Sequence, residues 1–132
     1  ALALEYRRKT IPDDHRQLLC SALRAKGIEV VLLQPGFDLN AKADFYEQAL
    51  LMQQCDLLLS VDTAAAHLGG VIGHPTWLLL PWAAASRWQR HSSHTDLYPG
   101  MRVLRQPRHS DWPGLIAQLL EELDRWLQIA VF

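Results

Sequence analysis

The sequence predicts an α/β fold in which a parallel sheet is flanked by helices, as in Rossmann-like domains. Short, nearly unbroken apolar runs alternate along the chain with longer segments whose apolar residues recur at helical spacing. Uninterrupted apolar runs are typical of strands that helices cover on both faces. Strands and helices that alternate in this way form parallel units with right-handed crossovers, and we expect one such domain over residues 1–132.

The first helix is predicted to begin at Thr10. The segment Thr10–Asp13 combines a hydroxyl residue, a proline in the first turn and an acid three positions on, which resembles a capping box. Apolar residues at helical spacing follow, and Gly27 supplies the backbone freedom expected just past a helix end. The recurring positions are Leu18, Leu19, Ala22 and Leu23.

Two buried strands and a helix are predicted next. The apolar run Ile28–Leu33 predicts a strand, and a polar loop follows at residues 34–40. Phe45, Ala49 and Met52 indicate the second helix, and Leu57–Val61 indicates the second strand.

The second half of the chain repeats this alternation. A helix over Asp62–Ile72 ends at Gly73, the strand Thr76–Leu80 follows, and a long connection leads to a short strand at Arg102–Arg105. Connections as long as residues 81–100 are usually functional or mobile. The last helix is predicted to open at residues 110–113, and its apolar stripe comprises Ile116, Leu119, Leu120, Leu123 and Leu127.

Composition narrows the function classes. With 49% hydrophobic residues and a net charge of −1 among 132 residues, the chain has the profile of a soluble globular domain, not that of a basic nucleic-acid binder. Its longest apolar runs fall far short of the roughly 20 residues that a membrane span requires. Cys20 and Cys55 are not a closely spaced pair, so we expect a reduced, cytoplasmic setting. The opening run Ala1–Lys9 resembles the tail of a preceding segment, and we expect a fragment of a longer protein.

A candidate anion site follows the second predicted strand. Parallel strands end at a common rim, so the residues after Leu33, Val61, Leu80 and Arg105 are expected to meet there. Asp62 is positioned to cap the next helix, and the N–H groups of residues 64–66 would face a ligand at its positive end. Thr63 and His67 are four residues apart and would share a helix face, so they could flank one phosphate. Ala64 would let a diphosphate approach the backbone closely.

The same residues also have an ordinary structural interpretation. Asp62 would then be a helix cap and nothing more, and His67 a half-buried histidine bonded to the backbone. Residue types and spacing alone do not choose between the two interpretations.

The stretch from Asp62 to Pro75 resembles a known motif. It matches the pattern Asp-Thr-x-x-x-His-Leu-x-x-x-x-Gly-x-Pro of the bacterial heptosyltransferase family and of the related glycosyltransferase domains attached to tetratricopeptide repeats. The resemblance covers about nine-tenths of the chain. Further landmarks of the repeat-linked group occur in the same order, at Phe45-Tyr46 with Ala49, Arg87-Trp88, Tyr98-Pro99, Arg105-Gln106-Pro107 and Asp111-Trp112.

The resemblance implies the carboxyl-terminal, nucleotide-sugar-binding half of a GT-B glycosyltransferase. Thr63, Ala64 and His67 would contact the donor diphosphate, and Asp62 would order the turn that presents them. The family often has glycine at the position of Ala64, and its domain begins with a strand and a Gly-Asn-rich loop that we do not identify before Tyr6. Its proposed catalytic base belongs to the amino-terminal domain, so we expect this chain by itself to be inactive.

Several other residues are candidates at the rim or in the long connection. Gln34 could bond a nucleobase or ribose, and Arg87 could pair with phosphate, although each could equally be an ordinary loop residue. Trp88, Trp112 and Trp126 are better explained by packing. Tyr98 is most simply part of a turn with Pro99 and Gly100. His91 and His94 have no further ligand nearby in the sequence, and we predict no metal and no cofactor.

We therefore expect a donor-binding domain that partners with a nucleoside-diphosphate sugar and with a missing amino-terminal domain or repeats of the same protein. The main alternative is a catalytically silent scaffold module attached to tetratricopeptide repeats, which Ala64 and the missing first strand favour. A dinucleotide-binding domain ranks lower because no Gly-x-Gly-x-x-Gly follows a strand. A hydrolase built on Ser60, Asp62 and His67 is discounted because no nucleophile elbow is present.

Overall fold

A computed structural model describes residues 2–5, 11–33, 44–61, 63–82, 98 and 101–131 of the chain. These residues form an α/β domain with a parallel sheet between two layers of helices, as predicted. The five strands are β1 (Leu2–Glu5), β2 (Val30–Leu32), β3 (Leu57–Val61), β4 (Thr76–Leu80) and β5 (Arg102–Arg105). The four helices are α1 (Asp13–Ala25), α2 (Phe45–Gln53), α3 (Ala64–Val71) and α4 (Trp112–Val131).

All strand pairs are parallel, and their order in the sheet is β2-β1-β3-β4-β5. The strand β1 lies inside the sheet, where Leu4 pairs with Leu32 on one side and with Leu59 on the other. The statement that no strand is identified before Tyr6 was therefore wrong, whereas the expectation of a preceding segment stays a prediction. Four residues of mixed pattern predict a strand weakly, and β1 is stabilised by the backbone bonds it makes to two neighbours.

Helices cover both faces of the sheet. The helices α1 and α4 contact each other on one face, and α2 and α3 contact each other on the opposite face. Successive side chains of a strand point to opposite faces of the sheet, so the core has two parts. Leu57 and Leu59 pack on the face covered by α1 and α4, whereas Leu58 packs with Met52 of α2 on the other face. Every residue of β3 and β4 is buried, which confirms the prediction drawn from their apolar runs.

The start of α1 differs from the prediction. Asp13 is the first helical residue, and Pro12 is the N-cap with ψ near 146°, so the proline lies before the helix instead of within its first turn. Among the described residues no side chain caps this helix start, and Thr10 lies outside them. Gly27 follows α1 and Gly73 follows α3, both with positive φ, as predicted for helix ends. The strand β2 is shorter than the predicted Ile28–Leu33.

The last helix packs along the sheet as its apolar stripe predicts. Leu119 and Leu123 are fully buried in the core on that face. Trp126 contacts Trp77 edge to face, with ring centroids 6.3 Å apart, and Trp112 is buried, so both predicted packing roles are confirmed. Within the described part of the chain, no helix is both long and apolar enough to span a membrane.

Candidate functional site

The order of the strands creates a topological switch point at one edge of the sheet. Because all strands are parallel, their carboxyl ends share that edge. From β1 the chain continues to α1 on one face, whereas from β3 it continues to α3 on the other face. Ligands of doubly wound sheets bind where neighbouring strands diverge in this way, which in this order of strands is between β1 and β3. The candidate residues Thr63, Ala64 and His67 lie at the start of α3, beside that point.

Thr63, and not Asp62, is the N-cap of α3. Its backbone is extended, with φ −138° and ψ 176°, and its carbonyl accepts from the N–H groups of Ala66 (3.1 Å) and His67 (3.4 Å). The prediction that Asp62 caps the helix was therefore wrong, as was the inclusion of Ala66 among the outward N–H groups. Among the described residues, no acceptor bonds the N–H groups of Ala64 and Ala65. These two groups lie at the positive end of α3.

The Thr63 hydroxyl faces the end of β3. Thr63 is only 8% exposed, and its Oγ1 lies 3.4 Å from both Ser60 Oγ and the Val61 carbonyl. Ser60 is itself buried and donates to the Val61 carbonyl at 2.8 Å, as expected for a side chain on a buried strand. Because Thr63 precedes the regular helix, its spacing from His67 does not follow from helix periodicity. That both residues share one phosphate stays a prediction.

His67 is half-buried and contacts Tyr98. The Nδ1 atom of His67 lies 3.0 Å from the Tyr98 hydroxyl, and the two rings meet edge to face with centroids 5.8 Å apart. Tyr98 also forms the predicted turn, since its carbonyl accepts from the Met101 N–H at 2.9 Å. Sequence analysis assigned that turn but missed the contact between the side chains.

Gly70 was the signal in the sequence that could have identified this contact. A Cβ at Gly70 would lie 2.5 Å from the Tyr98 ring, so only glycine leaves room for the ring against α3. A glycine inside a helical segment often marks such a close approach. The neighbouring Gly69 faces the sheet instead, where a Cβ would lie 2.5 Å from Thr76 Oγ1.

The structure does not describe the remaining candidates. Asp62, Gln34, Arg87, Trp88, His91 and His94 all lie outside the described residues. At the same rim, sequence analysis missed Gln106, a buried residue whose Oε1 accepts from the Trp82 N–H at 3.2 Å and so ties the ends of β4 and β5 together. Within the described ranges, no group of three or more His, Cys, Asp or Glu residues could hold a metal ion.

The opposite edge of the sheet, at the amino ends of the strands, contains a cavity and two groups with shifted pKa values. A cavity of about 340 Å³ opens there, and its lining combines acidic and apolar residues, including Glu29, Asp56 and Trp126. Burial lowers the pKa of His74, against the opposing effect of Asp56, and burial raises the pKa of the Cys55 thiol.

Comparison with known proteins adds no relative. No protein-family model matches the chain, and no curated protein matches it.

Proposed function

We propose that the chain binds the diphosphate of a nucleoside-diphosphate sugar at the amino terminus of α3 and serves as the donor-binding domain of a glycosyltransferase. One observation supports this most strongly. The Ala64 and Ala65 N–H groups, which have no acceptor among the described residues, lie at a helix start directly after β3, beside the divergence of β1 and β3.

The electrostatics of this position suit a diphosphate. The aligned peptide dipoles of a helix act as about half a positive charge at its amino terminus, and the unbonded N–H groups point toward an anion there. The first turn of α3 contains no acidic residue that would compete for those donors. His67 adds an imidazole one turn along, and in the sequence three cations, Arg7, Arg8 and Lys9, follow the last residues of β1.

The proposed contribution to catalysis is stabilisation of the leaving group. When the sugar's anomeric carbon separates from the phosphate oxygen, negative charge builds up on the departing nucleoside diphosphate. Fixed donors aimed at that charge lower the barrier because they need no rearrangement during the reaction. The resemblance assigns the base that activates the acceptor to another domain, so we expect the chain alone to bind donor without appreciable turnover.

A catalytically silent scaffold is the second candidate, and one observation favours it. His67 already bonds Tyr98, and the Thr63 hydroxyl already contacts Ser60 and Val61, so two of the proposed site residues have partners within the fold. Of the two reasons that the sequence offered for this candidate, the missing first strand no longer applies because β1 is present in the sheet, whereas alanine at position 64 still favours it.

Titration calorimetry with ADP, UDP and GDP tests the proposal. We expect weak but saturable binding of at least one of them, because the resemblance assigns the other half of the cleft to another domain. His67→Ala should weaken that binding about ten- to a hundredfold, the equivalent of roughly 1.5–3 kcal/mol for a charge-assisted bond. The matched control is His74→Ala, since His74 precedes β4 at the opposite edge and should leave affinity unchanged.

Two outcomes contradict the proposal. One is the absence of any saturable binding at millimolar concentration, which favours the scaffold. The other is a His67→Ala variant that melts at a markedly lower temperature but keeps its nucleotide affinity, as expected for a core histidine. Release of nucleoside diphosphate from nucleotide-sugars should stay near background, and robust turnover would place the catalytic base in this chain.

A further inference from the structure

We propose that Tyr98 is a positioning residue for His67: its hydroxyl donates to Nδ1 and thereby holds the proton of the neutral imidazole on Nε2. The hydrogen bond and the tautomer are properties of the ligand-free chain. Their consequence for anion binding rests on the function proposed above.

The contact between Tyr98 and His67 depends on how the Tyr98 ring is packed and on the space that Gly70 leaves on α3. Tyr98 packs against a buried cluster on β4, β5 and α3, which holds the ring in place. The i to i+3 bond from Met101 to the Tyr98 carbonyl fixes its backbone, and the absence of a side chain at Gly70 lets the ring lie directly on α3. The hydroxyl then lies 3.0 Å from Nδ1, within the usual range of a hydrogen bond.

The proposed direction of the hydrogen bond fixes the tautomer. A neutral imidazole has one nitrogen that donates and one that accepts, and a neutral phenol is a good donor. When the phenol donates to Nδ1, the imidazole proton must be on Nε2. A phosphate oxygen can only accept, so the Nε2–H tautomer offers it a donor, whereas the opposite tautomer would present it with a lone pair. Tyr98 therefore selects the form of His67 that suits an anion, without requiring a charged imidazolium.

Nitrogen NMR of the ligand-free protein with labelled histidine tests the assignment directly. The spectrum is recorded at about pH 8.5, where an ordinary imidazole is neutral. A spectrum that correlates the ring nitrogens with the ring carbon-bound protons through two-bond couplings distinguishes a protonated from an unprotonated nitrogen. For His67 we expect a protonated Nε2 and an unprotonated Nδ1. The Nδ1 resonance should be displaced from that of a free unprotonated nitrogen because Nδ1 accepts a hydrogen bond. A proton on Nδ1 in the wild-type protein would overturn the proposal.

Tyr98→Phe removes the hydroxyl and keeps the ring, so Nδ1 should lose its hydrogen-bond shift and the two nitrogens should move toward averaged values. Gly70→Ala displaces the ring while keeping the hydroxyl, and it should change the His67 spectrum in the same direction. Tyr46→Phe is the control, because Tyr46 is exposed on α2 and should have no effect. A wild-type His67 spectrum in both Tyr98→Phe and Gly70→Ala would contradict the assignment.

Calorimetry separates this proposal from the proposed function. If both hold, Tyr98→Phe should bind nucleoside diphosphate about three- to tenfold more weakly than wild type, as expected for the loss of one neutral orienting bond. If the wild-type chain binds no nucleoside diphosphate but shows the Nε2–H spectrum, the proposed function fails and the role of Tyr98 in setting the tautomer is supported. Unchanged affinity in Tyr98→Phe, with wild-type binding intact, would contradict the positioning role.

Discussion

Replacing Gly69 with alanine is expected to destabilise the domain, although alanine is the better helix former. The added Cβ would lie 2.5 Å from Thr76 Oγ1 and 2.9 Å from Leu58 Cδ2. Thr76 is 1% exposed and donates to the His74 carbonyl at 2.8 Å, so its side chain cannot turn away without breaking a buried bond. Leu58 is fully buried in the core.

The magnitudes favour destabilisation. Alanine gains about 1 kcal/mol over glycine in helix propensity, whereas overpacking a core costs about 1–3 kcal/mol. Loss of the Thr76 bond adds about 1 kcal/mol, so we expect the free energy of unfolding to fall by about 1–3 kcal/mol. For a chain of this length that corresponds to a fall in Tm of roughly 3–12 °C. Urea and thermal unfolding followed by circular dichroism measure both quantities.

A double-mutant cycle identifies the cause. Thr76→Ala removes the oxygen nearest to the new Cβ, so the two substitutions together should cost less than the sum of their separate effects. If Gly69→Ala instead stabilises the protein by about 1 kcal/mol, as at an exposed helix position, then α3 does not lie as close to β3 and β4 as described.

Three further predictions concern the core and the opposite edge of the sheet. Leu119→Ala should lower the free energy of unfolding by about 2–5 kcal/mol in urea, whereas Glu121→Ala on the exposed side of the same helix should change it by less than about 0.5 kcal/mol. Burial lowers the pKa of His74 in the folded chain, so just below the ordinary histidine pKa the unfolded chain binds more protons than the folded chain. The free energy of unfolding should therefore decrease as the pH is lowered below about 6.5, and it should decrease less in His74→Gln. A wild-type pH profile in His74→Gln would contradict this. Because burial raises the pKa of Cys55, this thiol should react slowly with iodoacetamide at pH 8 and rapidly in urea; rapid labelling of the native protein would show that it is accessible.

Local patterns in the sequence were sufficient for much of the fold. The strands β3, β4 and β5 have the predicted bounds. For β3 and β4 the reason is that a strand buried on both faces of a parallel sheet requires a nearly continuous apolar run. Gly27 and Gly73 were identified as helix ends because both need a positive φ that other residues rarely adopt. Such requirements are satisfied within a few residues of chain and are therefore visible in sequence.

Features that depend on distant residues were missed. The strand β1 is central only because β2 and β3 pair with it, and four residues without strong strand propensity do not reveal those neighbours. His67 and Tyr98 are 31 positions apart, so no local spacing predicts their bond. At the start of α3, Asp62 and Thr63 are both residue types that cap helices, so residue type alone did not identify Thr63 as the N-cap.

The amide resonances of Ala64 and Ala65 provide the most direct test of the proposed donor site. In a nitrogen-labelled sample titrated with UDP, ADP and inorganic pyrophosphate, we expect the largest saturable shifts at these two amides and at His67. Pyrophosphate should move the same two amides, because the diphosphate is the group that they are proposed to bind. No shift at Ala64 and Ala65, or larger shifts around Gly27, Glu29 and Leu57 at the opposite edge, would contradict diphosphate binding at the start of α3.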